Sequence, residues 1–160
     1  MANKVYPVGG KAIMVEVTPT LTVSASYAAN DYVGSSSDDS EYASAALYAG
    51  GSGWISGAIL IDYALQSVAC ELWLFDTTVT PPADSAAWSI SDADAKNCVA
   101  VIPFTTYRAS ALNSVAHGDE LPKKFVCASG STSLYGCLVT RGAPTLTSGD
   151  YTVRLMIDYD

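Results

Sequence analysis

The feature of this sequence that most constrains its fold is the stretch from Gly57 to Thr78, its longest apolar run. The stretch is rich in aromatic and β-branched residues, which suit a half-buried strand. It predicts two strands, Ile59–Leu65 and Ala69–Phe75, joined by a short connection at Gln66-Ser67. Both alternating sets of side chains are largely apolar. We therefore expect these strands to lie centrally, covered on both faces by a second sheet or by a neighbouring subunit.

Most of the remaining chain also shows strand patterns. Ser91 is an N-cap candidate followed by acidic residues, which predicts one or two short helical turns at most. The segment Tyr42–Tyr48 is open between a strand and a short helix. Short strands between turn signals predict an all-β fold, either an antiparallel β-sandwich that is jelly-roll-like or a barrel, and we favour the sandwich. The further predicted strands are Lys11–Val17, Leu21–Tyr27, Cys98–Phe104, Leu121–Ala128, Leu134–Thr140 and Tyr151–Tyr159.

The strands Leu121–Ala128 and Leu134–Thr140 are expected to pair across a turn at Gly130-Ser131. In such a hairpin, Cys127 and Cys137 could face each other. The cysteines show no CxxC pair and no metal-ligand spacing, so reduced, buried thiols are favoured over a disulfide or a metal site.

Length and composition set the domain organisation. The 160 residues suit one domain, and we predict an N-terminal arm, residues 1–10, followed by a single β-sandwich domain, residues 11–160. Charged residues make up 15% of the chain, against about 25% in typical soluble domains. Either the surface is built from Ser, Thr and Gly, or part of it is covered by subunit contacts.

The charge balance bears on partners. The net charge is −8 and Lys123-Lys124 is the only adjacent basic pair, which argues against a nucleic-acid partner because phosphates require clustered Lys and Arg. The first residues lack the apolar core of a signal peptide, and no apolar run approaches the ~20 residues of a membrane span. We expect synthesis in a cytoplasm and no membrane partner.

Candidate catalytic groups are few. His117 is the only histidine, and it lies near Asp119, but no Gly-x-Ser-x-Gly motif supports a hydrolase triad. A surface loop histidine is favoured. Asp62 and Glu71, on adjacent predicted strands, could form a glycosidase pair, although any sheet offers such carboxylates by chance. We predict no catalytic residue and no cofactor.

Two binding sites are conceivable from the sequence. Asp38, Asp39 and Glu41 are hard oxygen donors for a divalent cation, but they lack EF-hand spacing, and a solvated loop without metal is favoured. Several tyrosines could form a sugar-stacking platform, although core and interface positions are favoured for them. These tyrosines are Tyr27, Tyr32, Tyr42 and Tyr48.

Three segments carry a resemblance to a known group of proteins. They are Val17–Gly34, Gly57–Trp88 with its core Leu-Trp-Leu-Phe-Asp-Thr-Thr-Val-Thr-Pro-Pro-Ala-Asp, and Val126–Thr145 with the following Tyr151–Leu155. Together these segments resemble small virion structural proteins of tailed bacteriophages. The resemblance implies a non-enzymatic head decoration (cement) protein on the capsid exterior. A tail- or fibre-associated role, or a carbohydrate-binding β-sandwich module on the virion, is the alternative.

The resemblance also implies partners. These are the major capsid protein and further copies of the chain, with a homotrimer favoured because decoration proteins sit around capsid symmetry axes. The protein would be made in the host bacterial cytoplasm and incorporated into the virion. Residues of the N-terminal arm and the first residue after it are the expected capsid or subunit contacts, namely Lys4, Tyr6, Pro7 and Lys11.

Overall fold

The chain folds into antiparallel sheets, with one short helix in the part that the structure describes. That structure is a computed structural model, and it describes residues 12–22, 25–36 and 40–160. The strands are β1 (Ala12–Val17), β2 (Ala25–Ser26), β3 (Tyr32–Val33), β4 (Ser40–Tyr42), β5 (Ser52–Asp62), β6 (Cys70–Phe75), β7 (Cys98–Phe104), β8 (Tyr107–Ala109), β9 (Ser114–His117), β10 (Lys123–Val126), β11 (Leu134–Thr140), β12 (Thr145–Leu146) and β13 (Tyr151–Tyr159), and the helix is α1 (Asp92–Ala95). This content confirms the predicted all-β fold.

Two main sheets pack against each other as an antiparallel sandwich. The larger sheet has six strands in the order β1-β13-β5-β9-β8, with β10 also beside β5. The smaller sheet has five, in the order β3-β11-β6-β7 with β4 also beside β11, and β12 and β2 form a separate pair. The 11-residue strand β5 is the centre of the larger sheet, since β13 lies on one side of it and β9 and β10 lie on the other.

Local patterns place several elements where the sequence predicts them. The strands β7, β11 and β13 have the predicted bounds, and β1 covers the described residues of the predicted strand Lys11–Val17. In β13, Tyr151, Val153, Leu155 and Ile157 are buried, as their alternation predicts. The short helix α1 is capped as expected, because Ser91 Oγ accepts a hydrogen bond from the Asp94 backbone N–H at 3.0 Å.

Two predicted neighbour relationships are wrong. The strands β5 and β6 follow each other in sequence but lie in different sheets, so they are not adjacent. The same holds for β10 and β11: β10 pairs with β5, while β11 pairs with β6, so the predicted hairpin at Gly130-Ser131 does not form. In both cases the connection crosses from one sheet to the other, because each strand finds its best apolar and backbone partners in a distant part of the chain.

Other bounds also differ from expectation. Of the predicted strand Leu21–Tyr27, the described residues form only β2. The strand β4 ends at Tyr42, and turns follow it, so the rest of Tyr42–Tyr48 is neither strand nor helix. The predicted arm, residues 1–10, lies outside the described residues. No helix in the described chain has the length and apolar character needed to cross a bilayer.

The positions of the buried side chains show which central strands are covered on both faces. Between the two sheets, Leu60 of β5 and Leu72 of β6 are buried with most of the other apolar side chains. The far face of the smaller sheet is covered by the chain between β6 and β7, which forms a second cluster there. That cluster contains Tyr32, Phe75, Val79 and Cys137, with Trp73, Trp88, Ile90 and Cys98 packed against it. The strand β6 is therefore covered on both faces as predicted.

A buried carboxylate anchors this covering segment. Asp84 accepts hydrogen bonds from Tyr27 Oη at 2.7 Å, from the Thr22 N–H at 2.7 Å and from the Gly34 N–H at 3.3 Å. These donors come from three stretches of chain that are distant in sequence from Asp84. The carboxylate therefore ties the covering segment to the end of the sandwich.

Candidate binding surface

The described residues do not assemble the hydrolase arrangement considered from the sequence. His117 is exposed at the end of strand β9, not in a loop, and its neighbour across the ladder is Ile59. The Asp119 carboxylate accepts a hydrogen bond from Thr105 Oγ1 at 2.6 Å. A triad needs a carboxylate that orients the imidazole, and Asp119 is engaged elsewhere.

The two candidate glycosidase carboxylates lie in different sheets. Asp62 is fully buried at the end of β5, where it accepts hydrogen bonds from the N–H groups of Ala64 and Ser67 and from Ser114 Oγ. Glu71 lies on the far face of the smaller sheet and pairs with Arg141. A hydrogen bond from Arg141 holds the pKa of Glu71 below its ordinary value. The described part of the chain contains no pocket between them.

A cluster of buried polar groups lies beside Asp62. Burial raises the pKa of the Cys70 thiol to about 12, and the hydroxyls of Tyr107 and Tyr151 contact this thiol. Burial also raises the pKa of both phenols. Neither hydroxyl has a regular hydrogen-bond partner in the described structure. A protonated thiol between two phenols is a poor nucleophile, so this cluster is a feature of the packing.

The other cysteines are also reduced. Cys127 and Cys137 are buried, and Cys98 is half-buried. Burial raises the pKa of Cys98 and of Cys127. The hairpin that would have brought Cys127 and Cys137 together is absent.

The two binding sites considered from the sequence are a sugar-stacking platform of tyrosines and a divalent-cation site. Tyr27, Tyr32 and Tyr42 are at most 2% exposed, so these three cannot form a sugar-stacking platform. Among the described residues, no group of three or more His, Cys, Asp or Glu side chains could hold a metal ion. Asp38 and Asp39 of the acidic loop lie outside the described residues, as do Lys4, Tyr6, Pro7 and Lys11.

One surface with apolar character is the outer face of the larger sheet, which we define as the side chains that point away from the core. In β5, the inward set is buried, while Ile59 and Ile61 of the outward set are only half-buried. Trp54 is 41% exposed, and on other strands of the sheet Met14 is 50% and Val126 is 54% exposed. The strand β5 is therefore apolar on both faces, but the described residues fully cover only one of them.

One glycine shapes this outer face. Gly57 of β5 lies opposite Met156 of β13. A Cβ atom at Gly57 would lie 2.4 Å from Met156 Cε, so the glycine leaves room for the methionine side chain to lie across β5. Met14 lies opposite Met156 on the other side. The two thioethers and the bare glycine backbone therefore lie side by side on the outer face.

Four of the charged side chains on the outer face form two ion pairs. Arg154 Nε lies 3.1 Å from Glu16 Oε2. Lys124 pairs with Asp160 and also lies over the ring of Trp54, 5.0 Å from its centroid. The Lys124 ammonium lowers the pKa of Asp160. These pairs leave the face close to neutral, although the whole chain is acidic.

Comparisons with known proteins add no identification. Neither the protein-family models, nor the curated proteins, nor the solved structures contain a match.

Sequence reasoning found part of this surface and missed the rest. The outward set of β5 was signalled by the apolar residues on both alternating sides of the strand. Met14, Met156 and Val126 carried no such signal, because a single apolar residue on the polar side of a strand is common. Only the pairing of β1, β13 and β10 around β5 brings them together.

Proposed function

We propose that the protein is a non-enzymatic structural component of a bacteriophage virion, and specifically a decoration (cement) protein that binds and stabilises the head shell as an oligomer. The observation that supports this function best is the half-apolar and nearly neutral outer face of the larger sheet. Contiguous exposed apolar surface on a soluble domain marks a site of protein contact. The low content of charged residues, 15% of the chain, also favours a surface that is partly covered by protein contacts.

The build of the domain suits a role in adhesion. The smaller sheet is packed on both faces, one against the larger sheet and one against the covering segment. Such a body holds its shape when load is applied from outside, because its strands are joined by long-range ladders and close-packed side chains. The net charge of −8 favours approach to basic patches on a shell.

The shell contact is assigned to the N-terminal arm in this proposal. The arm precedes β1, which is an edge strand of the larger sheet. Lys4 and Lys11 would meet acidic shell surface, while Tyr6 and Pro7 would provide apolar contact. This assignment rests on the sequence resemblance.

A density map of the parent particle tests the proposal. We expect the chain on the outside of the head at a fixed number of copies per capsid subunit. Deletion of residues 1–10 should abolish binding to heads that lack the protein, whereas Lys96→Ser, a charge change beside α1, should leave binding intact. Density for the chain in the tail would replace the head role with the tail-associated alternative. Absence of the chain from the particle would overturn the proposal.

A further inference from the structure

We propose that two copies of this chain pair through the outer faces of their larger sheets, about a two-fold axis that runs along β5. This inference identifies an interface for the oligomer in the proposed function. The pairing can be tested on the isolated protein. The pairing can therefore be absent while shell binding is observed, and shell binding can be absent while the pairing is observed.

The residues on the axis are suited to meeting their own copies. A two-fold axis brings each residue on it opposite the same residue of the second copy. The outward positions along β5 include Trp54, Gly57, Ile59 and Ile61, none of which is charged. Four apolar or backbone contacts of this kind would cover the face of β5 that the described residues leave partly exposed.

The charges that flank Trp54 are complementary under the same rotation, while Arg154, which flanks Ile59 opposite His117, is already paired with Glu16. Asp158 of β13 and Lys124 of β10 both lie next to Trp54, on opposite sides of β5. Rotation about β5 exchanges the two sides, so Asp158 of each copy comes opposite Lys124 of the other. Thr152 and Val115, which flank Ile61, come together in the same way.

Other faces are less favourable for pairing copies of this chain. Outside the larger sheet, the described basic side chains are Lys96 and Arg141, and Arg141 is engaged by Glu71. Several acidic side chains on those surfaces are exposed or half-buried: Asp76, Asp92, Asp94, Asp119 and Asp150. Two acidic bodies repel, and the outer face is where a second copy meets the least repulsion.

The size of the face is compatible with a specific interface. The six strands of the larger sheet contain 37 residues. At ~3.4 Å per residue and ~4.8 Å between strands, they give an area of roughly 600 Å² per copy. Specific protein complexes bury about 600–1,000 Å² per partner, so the face reaches the lower end of that range.

Light scattering after gel filtration tests the pairing. We expect twice the chain mass for the unmodified protein and the mass of one chain for Ile59→Glu, since each copy would bring a carboxylate to the axis. Leu47→Glu is the matched control: Leu47 is 57% exposed in a turn outside the sheets, and this variant should stay paired. Circular dichroism and thermal unfolding should show that Ile59→Glu remains folded.

A cross-linking experiment tests the symmetry. Facing sheets lie ~10 Å apart, too far for a direct disulfide, so a two-carbon bis-methanethiosulfonate is used as the linker. In a Cys98→Ser background, Ile59→Cys should link most chains into pairs because the residue meets itself at the axis. Thr78→Cys, exposed after β6, should link few.

Three outcomes would overturn the inference: one-chain mass for the unmodified protein, a pair that Ile59→Glu leaves intact, or a trimer in which Ile59→Cys does not cross-link. One-chain mass would indicate that the outer face binds the capsid protein or another partner instead of a second copy. The last would support the homotrimer that the resemblance implies.

Discussion

Removing the hydroxyl of Tyr27 should destabilise the protein much more than removing the hydroxyl of Tyr151. Both rings are about 2% exposed. Tyr27 Oη donates to Asp84 Oδ1 at 2.7 Å, whereas Tyr151 Oη has no regular partner among the described residues and contacts the weakly polar Cys70 thiol. The substitution Tyr→Phe is therefore the same chemical change in two different surroundings.

The magnitudes follow from these contacts. A hydrogen bond to a charged acceptor stabilises by ~1.5–3 kcal/mol, so Tyr27→Phe should lower the free energy of unfolding by about that amount. For a domain of this length, this corresponds to a fall in Tm of about 3–12 °C. Tyr151→Phe removes a poorly satisfied polar group, so stability should stay the same or rise by up to ~1 kcal/mol.

Asp84→Ala extends the comparison to the acceptor. It leaves two buried donors without a partner, Tyr27 Oη and the Gly34 N–H. At ~1–3 kcal/mol for each unsatisfied donor, the cost is ~2–6 kcal/mol. In the double variant Asp84→Ala/Tyr27→Phe, the two effects should be clearly less than additive, because both remove the same hydrogen bond.

Urea unfolding followed by tryptophan fluorescence measures these differences. The m-value should be the same in all variants, since the surface exposed on unfolding does not change. Equal stabilities of Tyr27→Phe and Tyr151→Phe, within ~0.5 kcal/mol, would refute the reasoning that Asp84 anchors the covering segment.

Two further predictions concern the ionisable groups. With a thiol reagent at pH 8, only the half-buried Cys98 is expected to react in the folded protein. All four cysteines should react in denaturant. Rapid labelling of Cys70 in the folded state would contradict its burial. Because Arg141 lowers the pKa of Glu71 from its ordinary value of 4.5, the stabilisation from this pair is present above that value and is lost as the pH falls through the folded-state pKa. The stability advantage of the unmodified protein over Glu71→Gln should therefore shrink in acid, while Glu120→Gln, at an exposed pair with Lys123, should change little at any pH; a constant advantage of Glu71 down to strongly acidic pH would contradict this account.

Local sequence patterns determined the identity of most elements. Alternation in Tyr151–Tyr159 and the apolar run Cys98–Phe104 predicted β13 and β7 with the correct bounds. Ser91 followed by acidic residues predicted the helix cap. In each case the signal lies within a few residues, because side-chain direction in a strand and the first turn of a helix are fixed by neighbours in the chain.

Strand partners could not be predicted in the same way. The strand β10 pairs with β5 and not with β11, which follows it in sequence, and β5 and β6 separate into different sheets. A strand edge offers the same N–H and C=O groups whatever its sequence, so the partner is chosen by which packing buries the most apolar surface across the whole domain.

For the outer face of the larger sheet, too, the sequence predicted the local pattern and the tertiary structure determined which residues lie on the same face. The sequence by itself determined that β5 has apolar residues on both sides, and hence that something must cover each face. Only the tertiary structure decided that the described residues cover one face and leave Ile59 and Ile61 half-exposed. It also decided that Met14, Met156 and Val126 share the face with them, because these residues are far apart in sequence and reach the same face only through the ladders of the larger sheet.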